Sequence, residues 1–244
     1  MRLTRVHVDL PLAVGAGFAL PEAAASHLAR VLRLQPGDAC VLFNGDGHDY
    51  AATISAVGKR EVRVRVDAAV AVGNESPLRI TLVQGIARGE KMDWILQKAT
   101  ELGVGAVVPV SSERSEVRLD RERADKRLAH WRSVVVAACE QSGRASVPAV
   151  APSQPLAEAM EGLDAQPRYL LDPQAARAIG ALATTPLTGC VLAVGPEGGW
   201  SPRDRGLLAQ AGFEGLRLGP RVLRTETAGI AAIAVLQALR GDLA

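Results

Sequence analysis

The stretch Val191-Leu192-Ala193-Val194-Gly195-Pro196-Glu197-Gly198-Gly199-Trp200-Ser201-Pro202 decides how the rest of the chain is read. Four apolar residues in succession, without polar alternation, are the pattern of a strand covered on both faces. The run empties into a loop with three glycines, where a ligand can come close to the backbone and Pro196 limits the loop's freedom. Ser201 before Pro202, with Asp204 three residues beyond it, signals a helix start closed by a capping box. Strand, glycine loop and helix in that order put the loop at the carboxyl end of a strand, where open α/β sheets hold ligands. The competing reading is an ordinary strand-to-helix turn.

A second junction of the same kind covers residues 216–228. Gly219-Pro220 interrupts regular structure there, and Thr225 or Thr227 can cap the helix that follows. Glu226 suits the first turn of that helix through the helix dipole. Arg224 reads either as an anion or base contact or as one half of an interior ion pair. Residues 90–102 form an amphipathic helical pattern whose Lys91 and Lys98, seven apart, share a face that meets either phosphate or solvent. Neither common nucleotide motif is complete. No Gly-Lys-Ser/Thr follows the glycine loop, and Gly103-Val104-Gly105 comes after a helix with Val at position 108.

Outward from these junctions, residues 78–83, 106–110, 168–171 and 191–194 are short apolar runs, alternating with helical patterns at 90–102 and 121–141. This predicts parallel strands covered by helices, in a domain spanning residues 78–244. Its last helix, 225–239, is apolar nearly all round and is expected to be buried. The first 72 residues have another texture. A helix over 21–33 would bury Ala24, Leu28, Val31 and Leu32, strands are expected at 40–43 and 50–57 around the turn at 44–47, and residues 61–67 alternate strictly. A small β-rich domain, 1–72, and a linker, 73–77, follow from this.

The chain has 244 residues, 48% apolar and 22% charged, which excludes wholesale disorder and leaves ample material for a core. Without a run of about 18 apolar residues no membrane span is expected. The amino terminus lacks the apolar block of a secretion signal, so a cytoplasmic location is expected. Cys40, Cys139 and Cys190 lie far apart and the four histidines are scattered, which predicts neither disulfides nor a metal site. The net charge is +2, and only four of the 28 basic residues are lysines. Arginine suits phosphate and stacked bases, so nucleic acid binding is permitted but not demanded. Arg2, Arg5, Arg30 and Arg33, outside the two junctions, suit phosphate contacts.

Taken together, Gly195-Pro196-Glu197-Gly198-Gly199, the stretch from Leu218 to Thr227, Gln97-Lys98-Ala99-Thr100-Glu101-Leu102-Gly103 and Ala138-Cys139-Glu140-Gln141-Ser142-Gly143-Arg144 resemble the RsmE family. Arg2-Leu3-Thr4-Arg5 and residues 27–33 match it too, so the resemblance covers essentially the whole chain. Its members are 16S ribosomal RNA (uracil-N3) methyltransferases of the SPOUT class. The resemblance implies a PUA-like first domain, a carboxyl-terminal α/β domain tied in a deep trefoil knot, and a homodimer acting on 16S rRNA or the small ribosomal subunit. It further implies S-adenosyl-L-methionine bound by Leu171, Gly195, Pro196, Glu197, Gly198, Gly199, Leu218, Gly219, Leu223 and Arg224. Val6 stands where the family often has an aromatic residue, so base stacking is not implied there.

Methyl transfer to N3 needs the proton removed from neutral uracil, or the resulting anion stabilised. Arg224 and Arg5 are the candidate cations, and Glu197 is either a base or the group that orders its own loop. Added bulk at Gly199 is expected to block a ligand's approach to the backbone. Other readings are a SPOUT enzyme acting elsewhere on RNA and an RNA-binding protein without catalysis, against which the intact glycines speak. An oxidoreductase lacks its dinucleotide motif.

Overall fold

A computed structural model describes residues 3–58, 61–115 and 121–243. The chain divides into two units, Met1–Glu75 with Cys139–Val147, and Ser76–Ala138 with Pro148–Ala244. Arg2, an expected RNA contact, lies outside the described residues.

The first unit is a five-stranded sheet of β1 (Arg5–His7), β2 (Gly17–Ala19), β3 (Ala39–Phe43), β4 (His48–Val57) and β5 (Val62–Ala71), in the order β1-β3-β4-β5-β2. Only the β1–β3 pairing is parallel. Alternation works as expected in β5, where Val62, Val64 and Val66 enter the core and Arg63 and Arg65 face solvent. Helix α1 (Glu22–Ser26) is shorter than its pattern predicts, because a π-helical turn, His27–Val31, continues it. Ala24 and Leu28 are buried, but Val31 and Leu32 are 66% and 39% exposed. The wider turn, in which the Leu32 amide reaches back to the His27 carbonyl, breaks the 3.6-residue spacing that would have carried both inward. Arg33, at φ 57°, ends the segment in the left-handed region. Arg30 and Arg33 are both exposed.

Arg5, expected as a cation for RNA or the uracil anion, is held inside this unit. Its side chain is 5% exposed and bridges Asp49, at 3.2 Å from Nε and 2.5 Å from Nη2. Nη1 donates to the Cys139 carbonyl at 2.7 Å, Nη2 to the Arg144 carbonyl at 3.2 Å, and the guanidinium lies 4.5 Å from the Phe43 ring centre. With four of its five N–H donors engaged inside this unit and its side chain buried, Arg5 fits a structural cation better than the expected stabiliser of a uracil anion or RNA contact. Glu140 and Arg144, which look like surface groups singly, belong to the same cluster. Glu140 accepts from the His7 amide at 3.0 Å, and Arg144, 5% exposed, pairs with Glu75, with Nε 2.9 Å from the carboxylate. Val6 is buried in the core of this unit.

The second unit is a parallel seven-stranded sheet. Strands β6 (Arg79–Gly85), β7 (Ala106–Ser111), β8 (Ala149–Val150), β10 (Arg168–Leu171), β11 (Gly189–Val194) and β12 (Phe213–Leu216) run in the order β12-β10-β11-β6-β7-β8, with β9 (Gln154–Pro155) also on β7. Every residue of β11 is buried, as a central parallel strand requires. Val191 and Ala193 pack with Leu156 and Ala159 of α4 (Leu156–Glu161) and Leu208 of α5 (Pro202–Gln210). Helices α2 (Lys91–Glu101) and α6 (Thr225–Arg240) pack on each other, and α6 also touches β11. Helix α3 (Arg121–Ser142) begins in this unit and ends in the first. Helix α6 is less enclosed than its composition suggests: Gly229, Ala232, Ile233 and Leu236 are buried, while Ile230, Ala231, Ala234 and Val235 are only partly covered. Among the described residues no helix is long and apolar enough to cross a membrane. The three cysteines are buried, which pushes Cys40 and Cys139 up to about 11 and Cys190 to about 12, so they pack as small apolar groups.

Candidate active site

Parallel strands β10, β11 and β12 end side by side, and the chain leaving each forms one wall of a cavity of about 390 Å³. Leu171, Asp172 and Pro173 supply the first wall, Val194 to Glu197 with Gly199 and Trp200 the second, and Leu216, Leu218 and residues 221–226 the third. Such a volume, with mostly apolar walls and a few polar groups, suits a small-molecule ligand.

The glycine loop is held by identifiable bonds. The Gly199 amide closes a turn onto the Pro196 carbonyl at 2.8 Å, and Gly199 sits at φ +65°, a conformation that only glycine adopts freely. A β-carbon there would meet nothing within 4 Å. Within the chain the need for glycine at 199 is therefore conformational, and the open space at its β-carbon, on the cavity wall, leaves room for a ligand to approach. At Gly195 the reason is closeness, since a β-carbon would lie 3.2 Å from the Gly199 α-carbon. Beyond the loop the capping box forms as expected: the Asp204 amide donates to Ser201 Oγ at 3.1 Å and the Ser201 amide to the Asp204 carboxylate at 3.0 Å.

Glu197 orders its surroundings. Its Oε1 accepts from the Arg88 amide at 3.1 Å and from Lys91 Nζ at 2.9 Å. Partial burial pushes this carboxyl up, but Lys91 and the backbone amides of Glu197 and Arg88 outweigh it and hold the group below the usual carboxylate range. Committed lone pairs and lowered basicity fit the loop-ordering role better than that of a base. Lys98 pairs with Glu101 at 2.8 Å, and the side chains of Lys91 and Lys98 remain 36% and 38% exposed.

The third wall is tied to the second from below. Thr225, expected as a cap, is already inside α6; Arg224 holds the cap position without side-chain capping. The Thr225 hydroxyl instead donates to the Gly195 carbonyl at 2.5 Å and accepts from Gln84 Nε2 at 3.0 Å. Gln84 is fully buried in β6 and also donates to the Gly85 carbonyl at 2.9 Å. This link, which joins β6, the glycine loop and the start of α6, was not anticipated; a glutamine inside the apolar run of β6 was its signal.

Leu171, Gly195, Pro196, Glu197, Gly199, Leu218, Leu223 and Arg224 all line the cavity. Gly198 and Gly219 do not: Gly198 faces Arg114, whose Nη1 bonds its carbonyl at 3.0 Å, and Gly219 makes a turn at φ +85°. Asp172, Trp200, Arg205, Arg221 and Glu226 line it without having been anticipated as ligand contacts. Burial pushes the Asp172 carboxyl up, but its pairing with Arg205 and the Gln174 amide prevail and keep it low. Arg221 and Arg224 are exposed, and neither side chain has a hydrogen bond or ion pair among the described residues. Trp200 Nε1 and Glu226 Oε2 are shielded from solvent without a partner among the described residues. An orphaned donor and an orphaned acceptor in these walls fit a ligand that offers both an acceptor and an N–H donor. Among the described residues no three His, Cys, Asp or Glu stand where they could hold a metal ion.

Known proteins resemble this chain in sequence and in fold. The RNA methyltransferase domain family matches residues 74–237, and the RNA methyltransferase PUA domain family matches residues 20–67. The chain is 31% identical to ribosomal RNA small subunit methyltransferase E of Buchnera aphidicola subsp. Schizaphis graminum, over 99% of this chain and 98% of that protein. The Bacillus subtilis protein of the same name is 31% identical, over 88% and 89% of the two chains. Among solved structures, ribosomal RNA small subunit methyltransferase E from Neisseria gonorrhoeae bound to S-adenosyl methionine superposes with a TM-score of 0.92 at 40% identity, covering 100% of both chains. A Legionella pneumophila methyltransferase in complex with the bound cofactor SAM gives 0.93 at 37% identity, again over 100% of both.

Proposed function

Because the chain belongs to the ribosomal RNA small subunit methyltransferase E family, we infer that it is an S-adenosylmethionine-dependent methyltransferase of small-subunit ribosomal RNA. We propose that its target is N3 of one uridine in 16S RNA, that the cofactor occupies the cavity at the ends of β10, β11 and β12, and that the work is done in the cytoplasm. The observation that carries the site assignment is the convergence of three strand-end loops on a cavity whose walls fit the cofactor.

When bound, the cofactor supplies an electrophilic methyl carbon on a sulfonium sulfur. Leu171, Val194, Leu218 and Leu223 offer apolar surface for its adenine, while the backbone around Gly195 and Gly199 permits close approach. Among the described residues Arg221 and Arg224 have no carboxylate partner, in contrast to Lys91 and Arg205. We assign Arg224 to stabilise the negative charge that develops on the uracil carbonyls as N3 loses its proton, since a planar guanidinium can meet two acceptors together.

RNA is assigned to the first unit through Arg30 and Arg33, which are exposed beside the exposed Val31 and Leu32. Lys91 and Lys98 would join only by exchanging Glu197 and Glu101 for phosphate. The trefoil threading of the second unit and a homodimer complete the reading; the partly covered Ile230, Ala231, Ala234 and Val235 support an α6 that packs against a second copy. Nucleoside analysis of 16S RNA tests the whole. Cells that lack the protein should lose one 3-methyluridine, and purified protein with S-adenosylmethionine should restore it. Full retention of 3-methyluridine would refute the target.

A further inference from the structure

Among the described residues three carboxylates line the cavity, and the structure distinguishes them. Asp172 is committed to Arg205 and the Gln174 amide, and Glu197 to Lys91 and the Arg88 amide. Glu226 has no hydrogen bond or ion pair among the described residues, and its Oε2 is cut off from solvent. A buried acceptor left unpaired is unfavourable, and a ligand N–H would relieve it. The nearby α6 amino terminus favours negative charge at this position, but the helix dipole supplies no hydrogen-bond donor to that oxygen.

Resting on the uracil-N3 reading, we propose that Glu226 accepts the proton from N3 of the target uracil. The proton moves from N3 to a Glu226 carboxylate oxygen, and the N–H electron pair stays on N3. A carboxylate and a neutral uracil thereby become a carboxylic acid and a uracil anion, with total charge unchanged. That anion is the nucleophile, and Arg224, two residues earlier in the chain, faces the same cavity to stabilise it. The other charged groups around the cavity do not compete for the proton. Lys91 on α2 and Arg205 on α5 are cations held by Glu197 and Asp172, and Arg221, after β12, is a cation as well. No histidine lines the cavity.

The test is Glu226→Gln in the full-length protein, which keeps the shape and one acceptor oxygen but removes the base. Three measurements are made: S-adenosylmethionine affinity by calorimetry, single-turnover methylation at saturating cofactor and RNA against pH, and identity of the methylated nucleoside. Glu226→Gln should bind the cofactor within about twofold of wild type and lose roughly 10²- to 10⁴-fold in rate near neutral pH. Its remaining rate should rise about tenfold per pH unit where the wild-type rate has levelled off, because the variant depends on uracil that is already ionised. Glu226→Asp should regain part of the rate with a wild-type pH profile. A Glu226→Gln rate within threefold of wild type, or a loss confined to cofactor affinity, would overturn the proposal and make Glu226 a contact to the cofactor. If wild-type enzyme makes a methylated nucleoside other than 3-methyluridine, the target reading fails and takes the proposal with it. Wild-type 3-methyluridine with an unimpaired Glu226→Gln variant removes the proposal alone.

Discussion

Replacing Arg5 by alanine separates a structural cation from a catalytic one. The guanidinium holds Asp49, two carbonyls and the face of Phe43, with its side chain 5% exposed. In Arg5→Ala the carbonyls of Cys139 and Arg144 lose their donors, at about 1 kcal/mol each. The cation–π contact is worth about 1 kcal/mol more. Asp49 is 28% exposed and can rehydrate, so its lost pairing is counted at only about 1 kcal/mol. The total, about 3–4 kcal/mol, falls on the first unit. Hydrogen exchange read peptide by peptide should therefore show amides within residues 39–57 and 139–147 exchanging roughly 10²- to 10³-fold faster, since each 1.4 kcal/mol is about tenfold. Cofactor affinity should stay within about twofold, because the cavity is lined by second-unit residues alone. Arg5→Lys should fall between, since a compact ammonium cannot serve a carboxylate and two carbonyls in one plane. Exchange changed by less than threefold, with methylation at saturating substrates reduced a hundredfold, would refute this reasoning and return Arg5 to the chemistry.

Thr225→Val keeps the shape but leaves the Gly195 carbonyl without its donor, so it should cost about 1–3 kcal/mol, lower the melting temperature by about 3–9 °C, and weaken cofactor binding measured by calorimetry. Gly199→Val should abolish cofactor binding while Gly199→Asn, tolerant of φ +65°, retains it within about tenfold; equal losses would make bulk against the ligand the cause. The Glu197 carboxyl is lowered in the folded state, so its stabilisation is present above the unfolded-state value and lost as pH falls through the folded one. Wild type should thus lose melting temperature between about pH 5 and pH 3 more steeply than Glu197→Gln, and parallel curves would contradict the Lys91 link. Replacing Arg30 and Arg33 by alanine should flatten the slope of log affinity for RNA against log salt by about 1.4, and an unchanged slope would remove both from the RNA surface.

What could be read in advance was what local chemistry dictates. The period of two in β5, the continuous apolar run of β11 and the Ser201–Asp204 capping box each depend on residues within one element, and each formed as expected. What escaped depends on distant partners or on a changed helical period. Arg5 looked available because the groups that bury it lie 44, 134 and 139 positions away. Val31 and Leu32 were misplaced because one π-helical turn shifts every later residue around the axis. The same limit governs the carboxylates. Along the chain Asp172, Glu197 and Glu226 are three acidic residues near strand ends, and Glu197 stands out because glycines surround it. Only the folded arrangement shows that Arg205 and Lys91 have taken the first two. An acid with a good partner holds a loop in place, whereas an acid without one still has a lone pair to give, so in this cavity the conspicuous glutamate shapes the site and the inconspicuous one is left for the proton.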